Sequence, residues 1–216
     1  MTSSGAAAIR DRLLALRVIP VLRFGSRAEA ERAIDCLLAA GYRTFEITLT
    51  MPGAVDLIAA LRQRADPSLL IGAGTVLDLE QSERCIAAGA HYLVSPCLVQ
   101  GLAARGHASQ CAVLSGGFTP GEVLAAWRDG ADIVKVFPAS SGGPSHLSAL
   151  RAIYPQIPLC PTGGVSIANI ADYFKAGAAA VGVGNNIIDP AALQSGDSGR
   201  LVAHARRFLE LAGATA

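Results

Sequence analysis

Aromatic residues are scarce, 5% of the 216-residue chain, so there are few rings on which successive nucleobases could stack. Charge is scarce as well. Only 16% of residues are Asp, Glu, Lys or Arg, and 18 basic residues nearly balance 17 acidic ones for a net charge of +1. With no basic cluster and no run of like charge, no general field draws in nucleic acid or an acidic membrane. No segment approaches the ~20 apolar residues that a membrane helix needs. The opening stretch MTSSGAAAIRDRLLALRVIP carries charges before any apolar run reaches signal-peptide length, so no secretion signal is expected. The sequence contains no G-x-x-x-x-G-K-[ST] loop and no H-E-x-x-H pair. The cysteines, Cys36, Cys85, Cys97, Cys111 and Cys160, are odd in number, scattered, and form no C-x-x-C. They read as reduced thiols of a cytoplasmic protein. His91, His107, His146 and His204 show no metal-ligand spacing and read as surface or structural residues, so neither a metal nor a cofactor is expected.

What the chain does have is a regular alternation. Short runs of Val, Ile and Leu are followed by Ala-rich segments with helical spacing. Strands are expected near 18–23, 43–49, 69–72, 91–95, 111–115, 132–137, 157–160 and 179–183. Helices are expected near 26–40, 53–65, 78–88, 98–106, 119–128, 144–153, 166–176 and 198–212, with a further one at about 5–16 before the first strand. Several helices end on an Ala-Gly or Asp-Gly step suited to a left-handed cap, as at Gly41, Gly89, Gly130 and Gly177. No linker or composition shift divides the chain. The pattern predicts one domain, 1–216, of the α/β class: a (β/α)8 TIM barrel with an additional N-terminal helix. An open doubly wound sheet fits less well, because no G-x-G-x-x-G turn follows the first strand.

Active sites of such barrels lie at the C-terminal ends of the strands, which directs attention to polar residues there. In FEITLT, Phe45, Ile47 and Leu49 share one face and Glu46, Thr48 and Thr50 the other. In ADIVKVFPAS, Lys135 interrupts an apolar strand, on the face of Ile133 and Phe137. If both faces are interior, Lys135 and Glu46 meet inside the barrel. One reading is an internal salt bridge that holds strand register. The other is catalytic. Desolvation disfavours an ammonium, a neutral amine forms a Schiff base with a carbonyl, and a nearby carboxylate can move the protons. PTGGVS (161–166) and GVGNN (182–186) follow the seventh and eighth strands, where backbone N–H groups and a helix N-terminus can bind an anion. Thr75 in GAGTV reaches the same rim, and Arg23 in PVLRF could clamp a carboxylate or phosphate. Lys175 suits a helix C-terminus, and nothing near Cys97 suggests an activated thiolate.

The motifs VIPVLR, FEITLT, IGAGTV, AGAHYLVSP, FTPGE, VKVFPAS, PTGGV and AVGVGN occur in this order. As a set they resemble the bacterial 2-keto-3-deoxy-6-phosphogluconate (KDPG) aldolases, a family that also includes 4-hydroxy-2-oxoglutarate (KHG) aldolase activity. The resemblance implies a class I, metal-independent lyase on a (β/α)8 barrel, usually a homotrimer. Its small-molecule keto acid substrate is cleaved to pyruvate and glyceraldehyde 3-phosphate. It implies Lys135 as the Schiff-base lysine and Glu46 as the acid/base. Thr75, Pro96, Phe137 and Thr162 match pocket positions, and Gly163, Gly164 and Gly184 match anion-binding loops. Three positions depart from the family pattern. Thr50 stands where many members carry an anion-holding arginine, Asn185 where a phosphate-loop serine is common, and Ser115 where proline is frequent. Arg23 would then supply the missing charge. The 2-keto-3-deoxy-6-phosphogalactonate epimer and 4-hydroxy-2-oxoglutarate are alternative substrates. A phosphosugar decarboxylase would show D-x-K-x-x-D, which the run from Asp132 does not match. A non-catalytic phospholigand-binding barrel is the alternative from another functional class.

Overall fold

The alternation of apolar runs and Ala-rich segments becomes a repeating strand–helix unit in the computed structural model, which describes residues 5–64 and 66–214. Both ends of the expected domain and residue 65, the last of the helix expected at 53–65, lie outside the described residues. In chain order the elements are α1 (Gly5–Leu16), β1 (Val18–Leu22), α2 (Arg27–Ala40), β2 (Thr44–Thr48), α3 (Ala54–Arg62), β3 (Leu70–Gly74), α4 (Leu79–Ala87) and β4 (Tyr92–Val94). There follow α5 (Leu102–Ala108), β5 (Ala112–Gly117), α6 (Pro120–Arg128), β6 (Ile133–Val136), α7 (Gly143–Ile153), β7 (Leu159–Pro161), α8 (Ile170–Lys175), β8 (Val181–Val183), α9 (Pro190–Ser195) and α10 (Ser198–Ala212).

Capping chemistry explains several boundaries. Ser26 and Asp78 accept the Glu29 and Gln81 backbone N–H groups at the starts of α2 and α4. Thr119 and Glu122 form a reciprocal capping box on α6, with Pro120 in its first turn. Gly41 closes α2 in the left-handed conformation.

All neighbouring strands are parallel, in the order β7-β6-β5-β4-β3-β2-β1-β8. The sheet curls until its edges meet. Thr162 bridges to Gly182, and the Ala179 N–H donates to the Leu159 carbonyl at 2.9 Å. This is the expected (β/α)8 barrel.

Strand alternation sorts the apolar residues into two cores. Outward residues such as Phe45, Ile47, Val113 and Val134 pack beneath the helices. Inward residues Ile19, Leu70, Tyr92, Leu114 and Ile133 form a second cluster with Leu13 of α1. That cluster explains the extra helix: α1 closes the N-terminal end of the barrel, with Leu13 fully buried among the strands. Truncating a leucine so placed costs about 2–5 kcal/mol.

Some boundaries differ from the sequence-based expectation. β3 and β5 continue through Gly74 and Gly117, past the expected ends at 72 and 115, because Gly74 pairs with Thr48 and Gly117 with Val136 in the sheet; Glu46 and α6 leave no room for side chains at these glycines. The helices expected from 98 and 166 begin at Leu102 and Ile170, after tight turns. α9 was not expected. It is a single short segment that Asp189 caps by accepting the Ala191 and Ala192 N–H groups. Among the described residues no helix is long and apolar enough to cross a membrane.

Candidate active site

Lys135 and Glu46 meet inside the barrel. Their strands, β6 and β2, stand on opposite sides of it, four places apart in the sheet order. The Lys135 Nζ donates to the Glu46 Oε1 at 3.3 Å, and the two side chains are 7% and 3% exposed. In one neighbouring strand of each, the paired position is a glycine. Gly72 lies opposite Glu46 and Gly116 opposite Lys135. A Cβ on Gly74 would run into the Glu46 carboxylate itself. The Thr44 and Tyr92 hydroxyls bond to each other at 2.9 Å, and burial raises the Tyr92 phenol well above its ordinary value. Cys160, beside Lys135 on β7, is pushed up to about 12, mainly by burial, with the Lys135 charge opposing the rise.

Above the pair a cavity of about 450 Å³ opens at the C-terminal ends of the strands. Glu46 and Lys135 line it together with Arg23, Thr75, Pro96, Phe137, Thr162, Gly163, Gly164, Gly184 and Asn185. The structure thus brings together every residue singled out from the sequence except Thr50. That side chain stands outside the lining and accepts a hydrogen bond from the Arg23 Nε at 3.1 Å.

Local geometry shows how each group comes to the rim. The Phe137 ring centroid lies 5.7 Å from the Lys135 Nζ, so an aromatic face covers the amine. Thr75 has φ 61°, a left-handed conformation that costs a β-branched residue about 1–3 kcal/mol. This strain turns the chain at the cavity wall directly after β3. Gly163 and Gly164 have φ 91° and 83°, and a Cβ on Gly164 would lie 2.7 Å from the Ser140 Cβ. Side chains are excluded from both positions by conformation, and from Gly164 also by space, which leaves backbone exposed to a ligand.

The expected helix N-terminus at this loop is displaced. α8 starts only at Ile170, and Asn169 bridges the gap by accepting the Ser166 N–H and donating to the Gly164 carbonyl. The loop after β8 turns at once into a single 3-10 turn, Asn185–Ile187. The Asn186 amide donates to the Val165 carbonyl at 2.9 Å, tying the two glycine loops together.

Val21 and Asn186 also line the cavity and were missed from the sequence. Strand alternation from Ile19 to Arg23 could have revealed Val21. Asn186 closes the GVGNN motif, but its bond to the Val165 carbonyl, 21 positions away, had no sequence signal. The histidines stand outside the lining. His107 bonds to Asp132, His146 stacks on Phe118 and bonds its carbonyl, and His204 bonds the Asn186 carbonyl.

The chain is similar to known proteins over most of its length. A family model described as KDPG and KHG aldolase matches residues 9–204. A probable 2-dehydro-3-deoxy-6-phosphogalactonate aldolase of Rhizobium meliloti is 36% identical over 181 residues, covering 83% of this chain and 85% of the relative. A 2-dehydro-3-deoxy-phosphogluconate aldolase of Pseudomonas aeruginosa is 34% identical, covering 90% of this chain and 88% of the relative. The crystal structure of KDPG aldolase from Legionella pneumophila, with pyruvate captured as a covalent carbinolamine intermediate, superposes with a TM-score of 0.82 at 30% identity. That match covers 95% of this chain and 97% of the other. The non-catalytic alternative finds no support among these relatives. A barrel with this fold and these relatives is a carbon–carbon lyase, and the chain belongs to the KDPG and KHG aldolase family.

Proposed function

We propose that the protein cleaves 2-keto-3-deoxy-6-phosphogluconate to pyruvate and glyceraldehyde 3-phosphate through a Schiff base on Lys135. The observation that carries this reading is the buried Lys135–Glu46 contact at 3.3 Å on the floor of an open cavity. A structural ion pair gains nothing from access to ligand, whereas a reacting amine requires it.

The Lys135 amine attacks the C2 carbonyl carbon to give a carbinolamine. Glu46, which takes a proton from the Lys135 Nζ as the amine becomes neutral, gives it to the departing hydroxyl, so that water leaves and an iminium forms. The Glu46 carboxylate then takes the C4 hydroxyl proton and the C3–C4 bond breaks. Its electron pair passes into the iminium to give an enamine, and glyceraldehyde 3-phosphate departs. Glu46 returns a proton to C3, and water hydrolyses the iminium to pyruvate and the free amine. Thr162, Thr75 and Arg23 supply polar groups to the substrate around the reacting carbons. The glycine loops at Gly163–Gly164 and Gly184–Asn185 receive the phosphate through backbone N–H groups.

Borohydride reduction in the presence of pyruvate is expected to leave a reduced pyruvyl group on Lys135, located by peptide mass spectrometry. An adduct on Lys175, or none, defeats the mechanism. Lys135→Ala is expected to abolish both adduct and cleavage.

The Rhizobium meliloti relative favours a second reading with the same chemistry, in which the galactonate epimer is the substrate. Comparing kcat/KM for the two phosphorylated acids and for 4-hydroxy-2-oxoglutarate decides among them. The phosphogluconate reading places the enzyme in the Entner–Doudoroff pathway, in the cytoplasm, as a homotrimer. Five unpaired cysteines support a reducing compartment. Leu77, Leu79 and Leu98, exposed just beyond β3 and β4, support association. Light scattering at three chain masses is the expected result.

A further inference from the structure

Arg23 follows β1 directly, and Thr50 follows β2, the neighbouring strand. Three hydrogen bonds run in series across these strand ends. The Thr48 Oγ1 donates to the Leu22 carbonyl at 3.0 Å. The Thr50 Oγ1 donates to the Thr48 Oγ1 at 3.1 Å. The Arg23 Nε donates to the Thr50 Oγ1 at 3.1 Å.

The direction of this chain follows from proton counting. A carbonyl only accepts, so the single Thr48 hydroxyl proton is committed to Leu22. The Thr48 oxygen can then only accept, which commits the single Thr50 proton to it. Thr50 therefore presents a lone pair outward, and a guanidinium, which only donates, completes the series. Thr48 is fully buried, so water does not compete at the anchored end. Threonine suits both positions, because branching at Cβ restricts the hydroxyl to few rotamers.

The relay engages Arg23 only through Nε. Among the described residues, no protein hydrogen bond is recorded at its two terminal nitrogens. Arg23 lines the cavity at a telling height. Val21 lies opposite Glu46 and Pro20 opposite Val183, so the Arg23 backbone stands one inward step beyond that of Glu46. The strand it follows, β1, stands between β2, which carries Glu46, and β8, which leads into the Gly184–Asn185 loop.

We propose that Thr48 and Thr50 are positioning residues that act through Arg23, a hydroxyl relay that aims its terminal nitrogens at a substrate anion. The proposal rests on the aldolase reading above. It assigns Thr50 a role without substrate contact, consistent with its place outside the cavity lining.

Thr50→Val keeps the side-chain shape and removes the acceptor. It is expected to raise KM for the phosphorylated keto acid about tenfold, the effect of loosening one charge-assisted hydrogen bond, with kcat within about twofold. Thr50→Ser restores KM. In an Arg23→Ala background, Thr50→Val has no further effect, because the relay then has nothing to aim. Pyruvate saturation, read by borohydride trapping on Lys135, separates the two anionic ends. A parallel shift assigns Arg23 to the carboxylate, and an unchanged value assigns it to the phosphate; both uphold the relay. Thr48→Val tests the buried anchor. Thr50→Val, at the exposed end, keeps the test available if that variant fails to fold. Unchanged KM in folded Thr50→Val, or additive losses with Arg23→Ala, overturns the relay while wild-type trapping upholds the aldolase reading. Absence of trapping in the wild type overturns both.

Discussion

Gly74→Ala moves the proposed acid/base without replacing it. The added methyl would lie 2.6 Å from the Glu46 Cγ and 2.8 Å from its Cδ. Optimal carbon–carbon contacts are about 3.5–4.0 Å, so the carboxylate must retreat by about 1 Å. Glu46 has little freedom to do so, because its side chain is 3% exposed. Its bond to the Lys135 Nζ already stands at 3.3 Å, near the outer limit for such a contact, and a further ångström breaks it. A displacement of this size at a proton-transfer group costs about 10²-fold in rate. Overpacking costs about 1–3 kcal/mol, which at this chain length lowers Tm by about 2–12 °C. The Gly74→Ala variant is therefore expected to fold, melt somewhat earlier, and lose about two orders of magnitude in kcat in a coupled assay of pyruvate release. Gly121→Ala is the matched control, since a Cβ at Gly121 meets nothing within 4 Å. Undiminished kcat in a folded Gly74→Ala variant would refute the claim that the Glu46 position governs turnover.

Other perturbations test separate parts of the structure. Glu46→Gln is expected to slow turnover about 10²–10⁴-fold while the melting transition stays cooperative; a collapsed transition would instead mark the pair as structural. Alkylation at about pH 8 is expected to modify exposed Cys97 first and to spare Cys85, pushed up to about 11 by burial, and Cys160, pushed up to about 12. Equal labelling of Cys97 and Cys160 on peptide mapping would contradict the packed interior. His91 is held down to about 4 by burial first, then by the Arg62 and Arg12 charges. Its native pKa is therefore depressed below the unfolded value of about 6.5. Its contribution is full above about pH 6.5 and is lost as pH falls toward 4, about 1–2 kcal/mol after allowance for partial solvation. Melts at about pH 7 and pH 4.5 are expected to differ more for the wild type than for His91→Asn.

Much of the site was legible in the sequence because barrel strands carry their function at one end. Once the strand order is known, a residue near a strand's C-terminal end has few places to go. Lys135, Glu46, Thr75 and the glycine pairs reach the cavity for that reason. Thr50 illustrates the limit. Alternation correctly put it on the polar face of its strand, yet whether it meets substrate or Arg23 depends on the neighbouring strand's register. The unexpected continuation of β3 and β5 through glycines has the same origin. Glycine is a poor strand former in isolation, but pairing of Gly74 with Thr48 and of Gly117 with Val136 overrides propensity, and crowding by Glu46 and α6 excludes any larger residue.

By itself, the sequence determined the alternation of strands and helices, the kinds of chemistry available, and, through eight motifs in order, the family resemblance. These rest on local periodicity and on residue types, which need no knowledge of distant contacts. Only the tertiary structure decided that Lys135 and Glu46, 89 positions apart, share one hydrogen bond. It also decided that α1 closes the barrel's far end and that the Thr50 hydroxyl accepts a hydrogen bond from Arg23. Those facts arise from closure of the sheet, which sets the distance between opposite strands and cannot be read from any one of them.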